Sequence, residues 1–259
     1  MLPELFRIGN YPVHSWGLLL MLGFLLATWR AAKNAPRYNF TPENVWDIAL
    51  FGLMGGILGA RLAYVGLNIP YFSAHPSEIL ALWTGGMTFY GGLFGGLAAG
   101  AAACRWRGVN VADMGDLAAV SFPLGYCLGR IGCFLQGCCY GAVCDLPWAV
   151  RFHLPNGELT PPSHPAQIYS AIIAVAMYFL LVRVEAGRRF RGQVLLAYIG
   201  LYCIYRFIIE FVREGATAQL SGIAHLTQGQ LASLIIAIVV AGIYAYAVRR
   251  TVPTAQPAG

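Results

Sequence analysis

Apolar residues gather in seven blocks, each near the roughly 20 residues that a helix needs to cross a bilayer. They are Ser15–Ala32, Val45–Gly66, Gly86–Cys104, Asp113–Leu135, Pro165–Val184, Val194–Phe211 and Gln230–Val248. The pattern predicts an all-α integral membrane protein of about seven transmembrane helices. The blocks at 113–135 and 194–211 are the most polar. Pro123 removes a backbone donor inside the fourth block and is expected to kink that helix. Glycines recur at four-residue spacing, as Gly52/Gly56, Gly55/Gly59, Gly91/Gly95 and Gly92/Gly96/Gly100. In lipid such spacing lets helix backbones approach closely.

The residues between the blocks set the orientation. Arg30, Lys33 and Arg37 follow the first block, Arg105 and Arg107 the third, Arg183, Arg188, Arg189 and Arg191 the fifth, and Arg249 and Arg250 the seventh. Eleven of the 17 basic residues thus fall on alternate loops. The positive-inside bias makes those loops cytoplasmic, with the N-terminus periplasmic and the C-terminus cytoplasmic. Two outer segments exceed simple turns. Residues 67–85 form one; residues 137–164 form a small periplasmic cap, with Trp148–Phe152 a candidate short strand. Trp16, Trp83 and Trp148 read as interfacial anchors.

Composition agrees. Only 11% of the residues are charged, against about 25% in soluble domains, so lipid is the natural solvent and the bilayer a partner. No linker-like stretch divides the chain, which reads as one membrane domain over 1–259 with the cap inserted at 137–164. The net charge of +6 sits at the ends of apolar runs. It lacks the basic stripe of a nucleic-acid footprint, which excludes nucleic acid. Met1–His14 carries Pro3, Glu4, Arg7 and Pro12 and lacks the basic-then-apolar order of a signal peptide.

Several ionisable residues lie where lipid is expected. At 1.5 Å rise per residue, Arg61 stands about 24 Å above the inner face, Arg130 about 25 Å and Arg206 about 20 Å. Tyr90 lies near the outer end of the third block. Four helices therefore place polar groups in one outer-leaflet layer. Charges inside a bilayer are costly and mark function, although snorkelling or a structural ion pair accounts for any one arginine taken singly. Tyr198, Tyr202, Arg206, Glu210 and Arg213 form one helical stripe. Glu210 can pair with Arg206 and Arg213, which leaves one positive charge over, and Arg130 is unmatched on its own helix. Guanidinium groups grip phosphate in a fork; at this depth the phosphate at hand is a phospholipid head group.

Four stretches resemble bacterial phosphatidylglycerol–prolipoprotein diacylglyceryl transferases. They are His14-Ser15-Trp16-Gly17, Gly85-Gly86-Met87-Thr88-Phe89-Tyr90-Gly91-Gly92, Gly129-Arg130-Ile131-Gly132-Cys133-Phe134-Leu135-Gln136-Gly137 and His164-Pro165-Ala166-Gln167-Ile168-Tyr169. Tyr205–Arg213 is similar to the family's late arginine motif, and Gly229-Gln230 opens the last span as it does there. The resemblance covers nearly the whole chain in order. It implies transfer of the sn-1,2-diacylglyceryl group from phosphatidylglycerol to the lipobox cysteine thiol of prolipoprotein signal peptides, with release of glycerol phosphate. This is the first step of lipoprotein maturation, in the bacterial inner membrane, with the active site facing the periplasmic leaflet.

The same resemblance implies catalytic roles for Arg130 and Arg206, with Tyr90 beside them. Substrate contacts are expected from Arg130, His14, Trp16, Arg61, Gln136, Tyr202, Glu210 and Arg213. No cofactor and no metal is implied. The chain departs from the family pattern at several positions. Tyr90 stands where histidine is frequent, Cys133 and Cys138 where asparagine and glutamate are frequent, Gln136 for a second asparagine and Ser170 for a frequent glutamate. A histidine base at position 90 is thus excluded. A phenol of pKa about 10 is a poor base at neutral pH, so Tyr90 is assigned an orienting role.

Four of the seven cysteines, Cys133, Cys138, Cys139 and Cys144, cluster at the outer mouth of the fourth block. Their C-x4-C-C-x4-C spacing matches no common zinc pattern, and an oxidising compartment favours disulfides. One or two disulfides are expected among them, with free thiols or a metal as alternatives. Cys104, Cys127 and Cys203 read as packing residues. His164 reads as structural, His14 with Trp16 as a lid on the site, and His75, His153 and His225 as outer-loop residues. Competing readings are a small-anion transporter, a redox protein and an impaired homologue that only binds lipid or lipoprotein. No inverted repeat and no C-x-x-C pair support the first two.

Overall fold

Seven long helices match the seven apolar blocks to within three residues at either end. They are α1 (Ser15–Asn34), α2 (Pro42–Leu67), α4 (Phe89–Trp106), α5 (Val111–Gln136), α6 (Ala166–Ala186), α7 (Gln193–Ile209) and α8 (Gln228–Thr251), and a short α3 (Ile69–Ala74) follows α2. The computed structural model describes residues 2, 4–9, 11–153, 157–213 and 226–251, so His225 lies outside it. Among the described residues six helices, all but α3 and α4, are long and apolar enough to cross a membrane, which makes this a multi-pass membrane protein. The expected seventh span falls on α4, where five glycines among 18 residues lower the hydropathy. Only 11% of the apolar window of α8 is buried against protein, as a lipid-facing helix requires.

The chain separates into two compact units, one of Arg30–Met114 and one of Met1–Trp29 with Gly115–Gly259. In the first, Thr41 Oγ1 accepts a hydrogen bond from Asn44 N at 3.3 Å and Pro42 opens the helix, the usual capping chemistry. Helices α2 and α4 cross through their glycines. A methyl group on Gly59 would sit 2.4 Å from the Gly91 carbonyl oxygen, and one on Gly95 2.4 Å from that of Gly55. The spacing read from the sequence is thus a backbone-to-backbone contact. An Arg107–Asp47 ion pair adds to it.

In the second unit, two antiparallel strands precede α1: β1 (Glu4–Ile8) and β2 (Tyr11–His14), turned at Gly9 with φ +61°. The all-α expectation missed this hairpin. The strand expected at Trp148–Phe152 is absent among the described residues. Val150 exchanges both backbone hydrogen bonds with Ser163 at 3.0 Å, but Phe152 N is taken by the Thr160 hydroxyl at 2.9 Å, so the ladder stops at an isolated bridge. Helix α1 packs on α5 through Gly23, whose added methyl would lie 2.8 Å from Gly125 O.

Apolar cores fill the spaces between α5, α6 and α7, with Ala119, Val120, Leu181 and Val194 fully buried at one level and Ala166, Met177, Tyr205 and Ile209 at another. Asp116, also fully buried, accepts from Gly192 N at 2.7 Å and Leu195 N at 2.9 Å and pairs with Arg188 at 2.8 Å. A carboxylate on the first N–H groups of a helix satisfies orphan donors and complements the helix dipole. This fixes where α7 begins and hence where its side chains fall.

Candidate functional site

Helices α5 and α7 carry the arginines. Arg130 lies one and a half turns before the end of α5, and Arg206 one turn before the end of α7. A 3₁₀ turn, Glu210–Val212, then brings Arg213 round. The stripe expected to continue as α-helix through Arg213 therefore ends at Ile209. Arg130, Arg206 and Arg213 all lie within electrostatic reach of the Tyr202 phenol, so guanidinium groups from two separate segments act on one side chain. Arg206 Nη1 is 2.5 Å from Glu210 Oε2, and the Thr227 hydroxyl donates to Glu210 Oε1 at 3.3 Å. No carboxylate among the described residues forms an ion pair with Arg130. The group is therefore cationic in excess. Gln136 Oε1 and Arg213 Nε are buried without a hydrogen bond among the described residues, as expected of atoms built to meet a ligand.

A directional chain of hydroxyls supports Arg130. The Ser170 hydroxyl donates to Ala166 O at 2.6 Å, and the Tyr205 hydroxyl donates to Ser170 Oγ at 2.7 Å. Each hydroxyl has one proton, so Tyr126, 2.8 Å from the Tyr205 oxygen, must be the donor of that bond. Its oxygen keeps only lone pairs, which face toward a cation. The Arg130 guanidinium lies 4.8 Å from the Tyr126 ring centroid, within cation–π range. Sequence reasoning missed Tyr126, Tyr205 and the role of Ser170. The signal was present in Tyr126 and Arg130 at i and i+4 spacing, which places them on one helix face.

The segment after α5 is pinned to the end of α7. Ala142 N donates to Val212 O at 2.8 Å, Gly141 N and His164 O pair at 2.9 Å, and Gln167 Nε2 donates to Cys138 O at 2.7 Å. A methyl on Gly141 would meet Val212 O at 2.2 Å, so only glycine fits. Phe152, fully buried, stacks on Tyr140 at 4.9 Å and fixes the fold of this segment. His164 Nδ1 and Trp148 Nε1 both meet the Tyr169 hydroxyl, at 3.4 and 2.7 Å, which is a structural use of His164. Trp148 therefore has a protein partner as well as an exposed face.

The cysteines are all thiols, and the expected disulfides are not formed in this structure. The sulfurs of Cys133, Cys138 and Cys139 lie within 4.8 Å of one another, while Cys144 stands outside the group. Cys139 has φ +66°, and this left-handed backbone aims its side chain back at the end of α5. Its thiol is pulled down to about 5, first by hydrogen bonding with Cys133 and, against the opposing effect of burial, by its contact with Cys138 and the charges of Arg130 and Arg213. Burial pushes the Cys138 thiol up.

The remaining expected residues divide. His14, at the end of β2, is exposed. Trp16 is half exposed and packs over Gly132 of α5, where an added methyl would lie 3.1 Å from its Cα. Arg61 and Tyr90 belong to the other unit. There Arg61 corrects the expectation of a substrate contact, because backbone carbonyls consume its buried guanidinium. Nε donates to Ile79 O at 2.9 Å, Nη2 to Glu78 O at 2.6 Å, and Nη1 to Gly86 O at 3.1 Å and to Gly85 O. Arg61 is the internal anchor of the 68–88 segment. Tyr90, the second residue of α4, is 70% exposed and packs edge-on against Phe89.

A family model described as prolipoprotein diacylglyceryl transferase matches residues 3–246. A phosphatidylglycerol–prolipoprotein diacylglyceryl transferase of Geobacter sulfurreducens is 37% identical over 237 residues, covering 89% of each chain. A protein of the same description from Vibrio cholerae is 36% identical over 242 residues, covering 92% of this chain and 88% of its own. One from Methylobacillus flagellatus is 35% identical over 220 residues, covering 82% and 83%.

Proposed function

The chain belongs to the prolipoprotein diacylglyceryl transferase family, and we propose that it moves a diacylglyceryl group from phosphatidylglycerol to the lipobox cysteine of a prolipoprotein. The observation that carries this reading is the gathering of Arg130, Arg206 and Arg213 about Tyr202 with Glu210 as the one paired carboxylate. Such a group has positive charge left over for a phosphate.

In the reaction the substrate's thiolate attacks the glycerol carbon bonded to the phosphate ester oxygen, since the thiolate is the nucleophilic form. A carbon–sulfur bond forms, the carbon–oxygen bond breaks, and the electron pair leaves on the phosphate oxygen of departing glycerol phosphate. The phosphate gains negative charge as it departs: a diester carries one charge, a monoester about 1.5 to 2 at neutral pH. Arg130 and Arg206, fixed in advance by the tyrosine chain and by Glu210, meet that growing charge. Stabilisation of this kind belongs to the transition state more than to the bound substrate. Nearby cations also favour the thiolate of an incoming cysteine. Tyr202 and Gln136 orient the head group, and Trp16 with His14 borders the entrance. Arg61, spent on backbone carbonyls, carries no step, and Tyr90 is kept in its orienting role.

The basic loops support an arrangement with seven crossings, α4 included. The N-terminus and the 137–164 cap then lie on the periplasmic side of the inner membrane and the site opens to the periplasmic leaflet. The test uses detergent-purified protein, phosphatidylglycerol and a lipobox peptide, with mass spectrometry reading the diacylglyceryl adduct. Arg130→Ala and Arg206→Ala are each expected to slow adduct formation by about 10²–10³-fold, the usual loss for a charge-stabilising donor. Full rates in both variants overturn the mechanism; no adduct from the unaltered protein overturns the function.

A further inference from the structure

We propose that Cys133, Cys138 and Cys139 form a three-sulfur binding site for a soft, thiophilic metal cation of the Zn²⁺ or Cu⁺ class. The site lies beside the arginine group, and none of its three sulfur ligands has a role in the transfer reaction proposed above. Three features carry the inference. All three sulfurs lie within 4.8 Å of one another, with Cys138 and Cys139 at 3.6 Å. Ligands about 2.3 Å from a zinc ion stand a little under 4 Å apart in a tetrahedron, so a small closing movement brings this trio to ligating distance. Thiolate donors select soft cations.

The second feature is how the trio is assembled. Cys133 projects from the last turns of α5, whereas Cys138 and Cys139 come from the segment that follows. Two local devices hold that segment. Gln167 Nε2 donates to the Cys138 carbonyl at 2.7 Å, and the backbone of Cys139 occupies the left-handed region at φ +66°, which non-glycine residues rarely enter. Both hold the sulfurs close to one another.

Charge is the third. A trithiolate holding Zn²⁺ or Cu⁺ has net negative charge, which a partly buried position penalises unless cations stand near. Arg130 and Arg213 lie within electrostatic reach of Cys139. Disulfide formation is the rival use of these sulfurs, and it can engage only Cys133 with one of the other two. Three sulfurs cannot all pair, and Cys138 and Cys139 are chain neighbours whose Cα atoms stand about 3.8 Å apart, below the usual disulfide span of about 4.4–6.8 Å. A metal engages all three. Each thiol entering as thiolate gives up its proton, and three protein ligands leave a fourth tetrahedral position open.

Cadmium is the probe. The full chain is purified in detergent, reduced, freed of reductant and titrated with Cd²⁺ while the thiolate-to-metal charge-transfer absorption is followed. One ion per chain is expected to bind, and Zn²⁺ to displace it in competition. Cys133→Ser and Cys139→Ser should each abolish the band, whereas Cys144→Ser and Cys203→Ser should retain it. Thiol counting on the same samples confirms that the sulfurs are reduced, and the thermal unfolding midpoint confirms that each variant is folded. Absence of the band in reduced, folded protein overturns the proposal. So does a band that survives both Cys133→Ser and Cys139→Ser, or a Cys133–Cys138 or Cys133–Cys139 disulfide that re-forms in place of metal binding once the reductant is removed.

Discussion

The Arg206–Glu210 pair offers the most direct measure of how the site balances charge. In Glu210→Gln the amide keeps the shape and the hydrogen bond from Thr227, but the negative charge is gone. The side chain of Glu210 is fully buried and that of Arg206 is 20% exposed, so solvent screens the pair only in part. Charges about 4 Å apart attract by about 4 kcal/mol at an effective dielectric of about 20. One-sided removal of a buried partner costs about 3–5 kcal/mol because the other charge is stranded. A loss of about 3 kcal/mol is expected, since the hydrogen bond survives. For a chain of this size each kcal/mol moves the unfolding midpoint by about 2–4 °C, so the variant should melt about 6–12 °C below the parent in detergent. Two companion measurements give the reasoning its edge. The double variant Arg206→Gln with Glu210→Gln strands no charge and should melt above Glu210→Gln alone. Phosphatidylglycerol in the micelle should raise the single variant's midpoint more than the parent's, because a lipid phosphate replaces the lost carboxylate. A Glu210→Gln protein that melts with the parent, or a double variant that loses the sum of the two singles, would refute the account.

Other outcomes follow from the same geometry. Tyr205→Phe breaks the hydroxyl chain and leaves the Tyr126 proton without its acceptor; a destabilisation of about 1–3 kcal/mol is expected, with slower adduct formation because Arg130 loses its oriented neighbour. Gly59→Ala forces a methyl against the Gly91 carbonyl at 2.4 Å and should lower thermal stability by about 1–3 kcal/mol; Gly52→Ala, whose methyl would lie 3.7 Å from Gly96 O, is its neutral control. Asp116→Ala removes the carboxylate shared by Gly192 N, Leu195 N and Arg188 and should cost about 3–5 kcal/mol, whereas Asp116→Asn retains one acceptor and should cost less.

The helices were legible because their signal is local: a run of apolar residues near the length of a bilayer crossing predicts a helix whatever its neighbours. The limits of that signal appear at α4, where the glycines that permit close packing with α2 also dilute the hydropathy by which a span is recognised. The Arg206–Glu210 pair was legible for the same reason, as spacing along one segment, although the turn to 3₁₀ geometry after Ile209 was not. What escaped depends on long-range partners. Arg61 looked like a head-group ligand because its partners are backbone carbonyls of residues 78–86, and a carbonyl leaves no trace in residue identity. The Tyr126–Tyr205–Ser170 chain joins three helices, and each member taken alone is an ordinary apolar-block residue. The hairpin before α1 is too short to show a clear alternation. The cysteines drew attention by number, but which three converge is set by the left-handed turn at Cys139 and by Gln167, neither of which the spacing reveals.

The hydrogen bond from Ala142 to Val212 ties the cap to a position one residue from Arg213. Any movement of this segment away from Val212 must therefore pull on the backbone bearing that cation. A disulfide tether that holds residues 137–164 in place should therefore hold the backbone at Arg213 in place as well.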